Sequence, residues 1–397
     1  MTRPLKIAVV TETFPPEVNG VAMTIGVMTN ELSVRGHYLE VIRPEQPADR
    51  YPRTRTQHAE VLVNGLPIPG YSAMRIGLPA TRLLKQRWSV KRPDVVQLVT
   101  EGPLGLSAMF AARNLGIPVV SEYHTNFNAD ARHYGKSWLK QPIASYLKYL
   151  HNATAVTLAP TEEMAESLRC CGYKRVEVVS RGVDTLRFSP DQRSTLLRRT
   201  WGASPDDPIV LHVGRLAAEK NLDLLFGAFD AIEAIVPRAR LILVGDGPER
   251  ARLARTYPRH FFAGVQRGQN LAAHYASADV FLYPSMTETF GNVTLEAMAS
   301  GLAVVAFNYA AARDHIRHDV NGLLSHFGDH GEFKKLAADL ASDPHRFGRL
   351  GRAARAAALN AGWSHVIDGL EEILFEAAGQ TPVPKARPTY LSQGAAS

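Results

Sequence analysis

Two doubly wound α/β domains in series are the fold this sequence predicts. Three observations carry the expectation. Apolar, β-branched runs alternate with helical patterns along most of the chain; the rhythm breaks near residues 180–190 and then restarts; and 397 residues, 45% of them hydrophobic, suffice for two cores of roughly 150–200 residues each.

The first strand is expected at 7–10, where a short apolar run stops at Thr11 and Glu12. That run is too brief for a signal-peptide core or a membrane span, so the N-terminus reads as the start of a soluble, unexported chain. Strands follow at 38–42, 95–98, 119–121, 155–158 and 176–179, each succeeded by a turn-rich stretch or a helix. This is the pattern of a parallel sheet covered on both faces.

The stretch 180–190, Ser-Arg-Gly-Val-Asp-Thr-Leu-Arg-Phe-Ser-Pro, has turn residues and little periodicity, and the hinge is placed there. Strands at 209–213, 240–244, 260–262, 280–283, 302–307 and 322–324 then build the second unit. The expected division is 1–185, 186–362, an amphipathic helix at 363–379 that packs back toward the first domain, and a tail at 380–397 whose Pro, Gly, Ala and Ser content predicts disorder.

The formal charge is +7. Residues 1–185 hold 22 Lys+Arg against 16 Asp+Glu and the remainder 23 against 22, so the basic excess lies in the first half. An anionic partner should meet that half first, and an anionic membrane surface suits it. Nucleic acid is not the expected partner, because no binding module or aromatic-basic signature occurs. The stretch 131–149 interleaves basic and aromatic residues, and it reads either as a bilayer-lying segment or as a crossover helix with one buried face. Cys170 and Cys171 are adjacent, which neither staples the fold nor offers metal-ligand spacing. A reducing, cytoplasmic setting follows.

Three stretches carry chemistry. After the first strand, Asn19-Gly20 opens a helix, where backbone N–H groups can approach a phosphate. No G-x-G-x-x-G follows that strand, which argues against a dinucleotide fingerprint. After the strand at 209–213 come Arg215 and Lys220, two cations able to neutralise a diphosphate without a metal. After the strand at 280–283, Glu288 falls in a loop and Glu296 on a helix for which Asn292 is the expected N-cap. The two carboxylates then flank a helix N-terminus rather than forming the close pair that glycoside hydrolysis requires.

With those residues in place, the chain resembles the retaining glycosyltransferases of family four, which have the two-domain GT-B fold. The resemblance is carried by Glu288, seven residues, Glu296, with Phe290-Gly291 between and Glu-Ala-Met-Ala-Ser-Gly at 296–301. Gly-Arg-Leu-Ala-Ala-Glu-Lys-Asn at 214–221, Val-Gly-Asp-Gly-Pro at 244–248, Ala-Asp-Val-Phe-Leu-Tyr-Pro-Ser at 278–285 and Arg-Gly-Val-Asp at 181–184 support it.

The resemblance implies transfer of a sugar from a nucleoside diphosphate donor, held by the second domain, to an acceptor held by the first, across a central cleft. Carried over residue by residue, Glu288 would hold hydroxyls of the donor sugar, and Phe290, Gly291 and Asn292 would offer backbone groups near sugar and phosphates. Glu296 would bind the ribose; Arg215 and Lys220 would stabilise the diphosphate as leaving group; Gly20 would close the phosphate site. Asn19 stands where many members have a second glycine, and it is expected to take the left-handed backbone that glycine would. His124 would lie beside the transferred sugar. No cofactor or obligatory metal is implied.

The match to a mannosyl- and sulfoquinovosyl-transferase subgroup makes GDP-mannose the leading donor and a lipid or lipid-linked glycan the leading acceptor, at the inner face of the cell membrane. The alternatives are a UDP-sugar-dependent glycolipid synthase and, in other classes, a nucleotide-sugar epimerase of the same fold or a non-catalytic binding module. Base contacts, expected from main chain near 264–270, leave the nucleotide open.

Overall fold

The computed structural model describes residues 3–17, 19–46, 49, 58–68, 71–124, 140–288 and 290–380. In the first domain the strands are β1 (Lys6–Val10), β2 (Tyr38–Pro44), β3 (Ala59–Val63), the hairpin β4 (Gly65–Ile68) and β5 (Tyr71–Gly77), β6 (Val95–Leu98), β7 (Val119–Glu122), β8 (Val156–Ala159) and β9 (Val176–Val178). Among the described residues, seven form one parallel sheet in the order β3-β2-β1-β6-β7-β8-β9. Buried strands such as Val95–Leu98 are apolar nearly throughout because helices cover both faces.

The second domain repeats the plan with β10 (Ile209–Val213), β11 (Arg240–Val244), β12 (Phe261–Gly264), β13 (Val280–Tyr283), β14 (Ala303–Phe307) and β15 (Leu323–Ser325). Their order is β12-β11-β10-β13-β14-β15, again parallel. In each sheet the winding direction reverses beside the first strand, between β1 and β6 and between β10 and β13. Loops diverge there at the carboxyl ends, which opens a crevice for a ligand.

Two features escaped the sequence pattern. Strand β3 is an edge strand, and the antiparallel hairpin β4–β5 contains Gly65 and Pro67, which argue against a strand when read alone. The helix Trp363–Ala377 returns to the first domain, where Ile367, Leu370, Leu374 and Phe375 join Ile7, Val9, Ile25 and Val120 in one core. Arg35 binds Asp368 at 2.6 Å and Glu371 at 2.8 Å, and His37 lies 2.9 Å from the same Glu371.

The two passages between domains run side by side. Val183 bridges to Gly362, and a Cβ on Gly182 would lie 2.6 Å from the Cα of Trp363, so only glycine fits that crossing. Arg355 then ties down the first passage, donating to the carbonyls of Phe188 at 2.7 Å and Thr185 at 3.0 Å. The residues 131–139 of the basic-aromatic stretch, and the tail from 381, lie outside the described residues. The rest of that stretch falls in the helix Lys140–Asn152, which buries Leu147 and Leu150 and exposes Lys148 and Tyr149.

Candidate active site

The loop after β13 is tied down by hydrogen bonds to its own strand and to two neighbouring loops. One carboxylate oxygen of Glu288 accepts from the hydroxyls of Tyr283 and Ser285, both at 2.5 Å, and is ion-paired with the Lys220 ammonium. Burial, and then the charge of Glu288, push the Tyr283 hydroxyl well above its ordinary range, so it stays a donor. Tyr309 donates to the Glu288 carbonyl at 2.7 Å, and Thr287 donates to the Glu219 carbonyl at 3.2 Å. Loops from two strands are thus stitched together across the switch point of the second sheet.

Asn292 does not cap the following helix, contrary to the sequence expectation. The helix is Asn292–Ala299 and its N-cap is Gly291 at φ 93 and ψ 60, a left-handed conformation that favours glycine. The carboxamide oxygen of Asn292 is consequently buried without a hydrogen-bond partner. Asn19 also departs from expectation: its backbone is extended, φ −146, and it caps the helix Gly20–Val34 by accepting from the Ala22 N–H at 2.8 Å. Gly20 therefore begins that helix directly, with its first N–H groups at the carboxyl end of the first sheet.

Glu296 has a different environment from Glu288. Its carboxylate accepts from the Tyr275 hydroxyl at 2.9 Å, and burial, opposed by that hydrogen bond, pushes it up to about 7. The two carboxylates are held by different hydroxyls, Glu288 by Tyr283 and Ser285 and Glu296 by Tyr275. Arg215 is half exposed and engages Glu219 on its own loop at 3.1 Å through Nε, while Lys220 is mostly buried against Glu288. Behind them His212 donates from Nδ1 to the Leu282 carbonyl at 3.1 Å, and burial holds it down at about 4, so it adds no charge.

The first domain supplies the opposite wall. His124 follows β7; its Nε2 lies 2.8 Å from Glu122, and its Nδ1 lies 3.2 Å from an Arg181 guanidinium nitrogen. Arg181 belongs to the passage between domains and sits 5.8 Å from the centre of the Phe290 ring. Glu12, two residues past β1, accepts from the Leu104 N–H at 3.3 Å and is pushed up to about 7 by burial. Glu163 reaches across to the second domain, accepting from the Ala310 N–H at 3.3 Å. A cavity of about 490 Å³ lies between the walls, bounded by Tyr123, Lys148, Glu163 and Tyr173 on one side and by Glu288 and Tyr309 on the other.

Sequence reasoning had missed Glu12, Glu122, Arg181, Tyr283, Ser285 and Tyr309. Glu12 and Glu122 could have been found, since each is a carboxylate at the carboxyl end of a parallel strand.

A family model for glycosyl transferases group 1 matches residues 194–357, and one for glycosyltransferase family 4 matches residues 18–187. Over 371 residues, 92% of this chain and 95% of the relative, the sequence is 38% identical to a GDP-mannose-dependent alpha-mannosyltransferase of Mycobacterium tuberculosis.

The chain belongs to glycosyltransferase family four.

Its relatives extend to the sulfoquinovosyl transferase SQD2 of Arabidopsis thaliana, 32% identical over 70% of this chain and 55% of that one. The glycosyltransferase also shares the GT-B fold of solved structures. Sucrose-phosphate synthase of Thermosynechococcus elongatus superposes with a TM-score of 0.75 at 18% identity, over 94% of this chain and 98% of that chain. The Anabaena protein HepE in complex with UDP and glucose gives 0.74 at 21% identity, over 94% and 100%.

Proposed function

We propose that this glycosyltransferase transfers mannose from GDP-mannose, with retention of configuration, to a lipid or lipid-linked glycan. The observation that carries the reading is the Lys220–Glu288 contact at the switch point of the second sheet, in a chain similar along 92% of its length to a GDP-mannose-dependent enzyme. Glu288 holds hydroxyls of the donor sugar, aided by Tyr283 and Ser285. Lys220 and Arg215 hold the diphosphate, with the N–H groups at Gly291 and Gly20 facing it from two helix ends. Phe290 and Asn292 flank that position through the backbone, with Asn19 holding Gly20 in place. Two cations meet the charge that develops on the leaving diphosphate, so the reading calls for no metal.

Glu296 takes the ribose hydroxyls, which donate to the ionised carboxylate. Because its free-enzyme value is raised to about 7, donor binding should draw the proton off. Affinity for GDP-mannose, whose diphosphate diester does not titrate near neutrality, is therefore expected to rise about tenfold from pH 6 to pH 8. Calorimetric titration across that range checks it; a flat profile for the wild type, or the same slope in Glu296→Gln, would remove Glu296 from the donor site.

An anionic bilayer is the partner surface that suits such an acceptor. Residues 61–93 contain no acidic residue and six cations, Arg75, Arg82, Lys85, Arg87, Lys91 and Arg92. Leu66, Ile76, Leu78 and Leu83 are exposed among them, and Leu66 faces Ile76 in register across the hairpin. Exposed apolar side chains beside cations favour an interface. The hairpin ends at Gly77, whose backbone hydrogen-bonds Glu12 at the cleft rim. No helix among the described residues is long and apolar enough to cross a membrane. Flotation with phosphatidylglycerol vesicles but not phosphatidylcholine vesicles is expected, and its persistence in Leu66→Asp/Leu83→Asp would refute this surface.

The function itself is tested by offering GDP-, UDP- and ADP-sugars with a lipid extract and measuring nucleotide release. Turnover with GDP-mannose that depends on the extract supports the proposal, and preference for a UDP-sugar would move it to the glycolipid synthases.

A further inference from the structure

Arg181 is an unusual place for a cation. It lies on the passage between domains and is only 5% exposed, and the Glu122 and Glu288 charges around it only partly offset burial, which lowers it to about 10. Its one hydrogen bond among the described residues runs from Nη2 to Nδ1 of His124, and its buried Nε–H has no partner. The other guanidinium nitrogen, Nη1, sits 3.5 Å from where a Cβ on Gly20 would project. The side chain thus touches a loop of the first domain, the Phe290 ring of the second, and the helix end proposed for the diphosphate.

The hydrogen bond has a definite direction. A guanidinium only donates, so Nδ1 of His124 must accept, and the ring proton must sit on Nε2, where it donates to Glu122 at 2.8 Å. Glu122 is fixed in turn, since its other oxygen accepts from the Gln97 carboxamide at 2.5 Å. Gln97, Glu122, His124 and Arg181 form one chain of donors and acceptors reaching from the middle of the first sheet to the cleft. Both nitrogens of the imidazole are committed.

We propose that Arg181 is a positioning residue for sugar transfer: with the Nε2–H tautomer of His124 set by Glu122, Arg181 occupies the remaining lone pair on Nδ1, which denies the active site a histidine base. The inference rests on the transferase reading above and deepens it. With no lone pair free on His124, the acceptor hydroxyl gives its proton to the departing phosphate oxygen. The bond from the sugar's anomeric carbon to that oxygen breaks while the bond to the acceptor oxygen forms. His124 then serves as a fixed wall beside the sugar, and Arg181 keeps it there.

The test is a two-bond ¹⁵N–¹H correlation spectrum of the full chain labelled at histidine, with His124 assigned from His124→Gln, alongside steady-state kinetics. The wild type should show His124 protonated at Nε2. In Arg181→Met the Nε2–H tautomer should persist, held by Glu122, while the Nδ1 resonance moves downfield to that of a free lone pair, with kcat lower by about 100-fold and donor KM within about threefold. Arg181→Lys, which keeps a donor and a charge, should retain the hydrogen-bonded Nδ1 signal and recover at least about tenfold of that loss.

A wild-type Nδ1–H tautomer would overturn the proposal, as would an unchanged His124 signal or wild-type kcat in Arg181→Met. Should Arg181→Met fail to fold, Arg181→Gln is read in its place by the same criteria. If no donor supports transfer at all, the functional reading fails, while the spectrum still decides what Arg181 does.

Discussion

Glu288→Gln lowers kcat/KM for transfer by about 10²–10³-fold, with a melting temperature close to wild type. The size follows from what the carboxylate does in place: it accepts from Tyr283 and Ser285 and neutralises Lys220, and an amide satisfies only part of that set. Losing a preorganised polar group at the reacting centre typically costs about that factor. In the proposed reading Glu288 grips sugar hydroxyls beside the carbon that changes partners, so the loss should fall mainly on kcat. Kinetics with varied donor, checked against a circular-dichroism melt, gives the answer; near-wild-type kcat would take Glu288 out of the sugar site.

Lys220→Ala is the second large effect, and it should exceed Arg215→Ala. The Lys220 ammonium is mostly shielded, with 15% of its side chain exposed, whereas the Arg215 side chain is 47% exposed and already engages Glu219. A shielded charge acts through a lower effective dielectric, so its loss weakens the diphosphate contact more. We expect about 100-fold lower kcat/KM for Lys220→Ala, about tenfold for Arg215→Ala, and weaker GDP binding by calorimetry in both. Reversal of that order would mean that the pairing seen here does not persist when donor binds, and unchanged GDP affinity in the double variant would remove the diphosphate site.

The fold was legible because its period is strong. Buried parallel strands such as Ile209–Val213 and Ala303–Phe307 announce themselves as apolar runs, and each places a loop at a sheet's carboxyl end. Edge strand β3 and the Pro67-containing hairpin lacked that signal. Local backbone choices were harder. Asn292 has the chemistry of a cap, yet Gly291 takes the position because the chain enters the helix through a left-handed residue. Asn19 was expected to imitate glycine, and instead its side chain caps the helix from an extended backbone.

Within the site, individual residues were visible but their partners were not. Lys220 and Glu288 are 68 residues apart, and nothing local says that they meet. His124 drew notice as a strand-end histidine, but nothing local says that Arg181, 57 residues away, meets its Nδ1. Tertiary proximity of this kind is written in the order of strands across a sheet, not in any short stretch.

The most direct test of the account is release of GDP from GDP-mannose by the full chain, with and without a lipid-linked acceptor, followed by determination of the linkage in the product. The account predicts release that depends on the acceptor, an α-linked mannosyl product, and loss of both in Glu288→Gln. Acceptor-independent turnover, a β-linked product, or full activity in Glu288→Gln would contradict it.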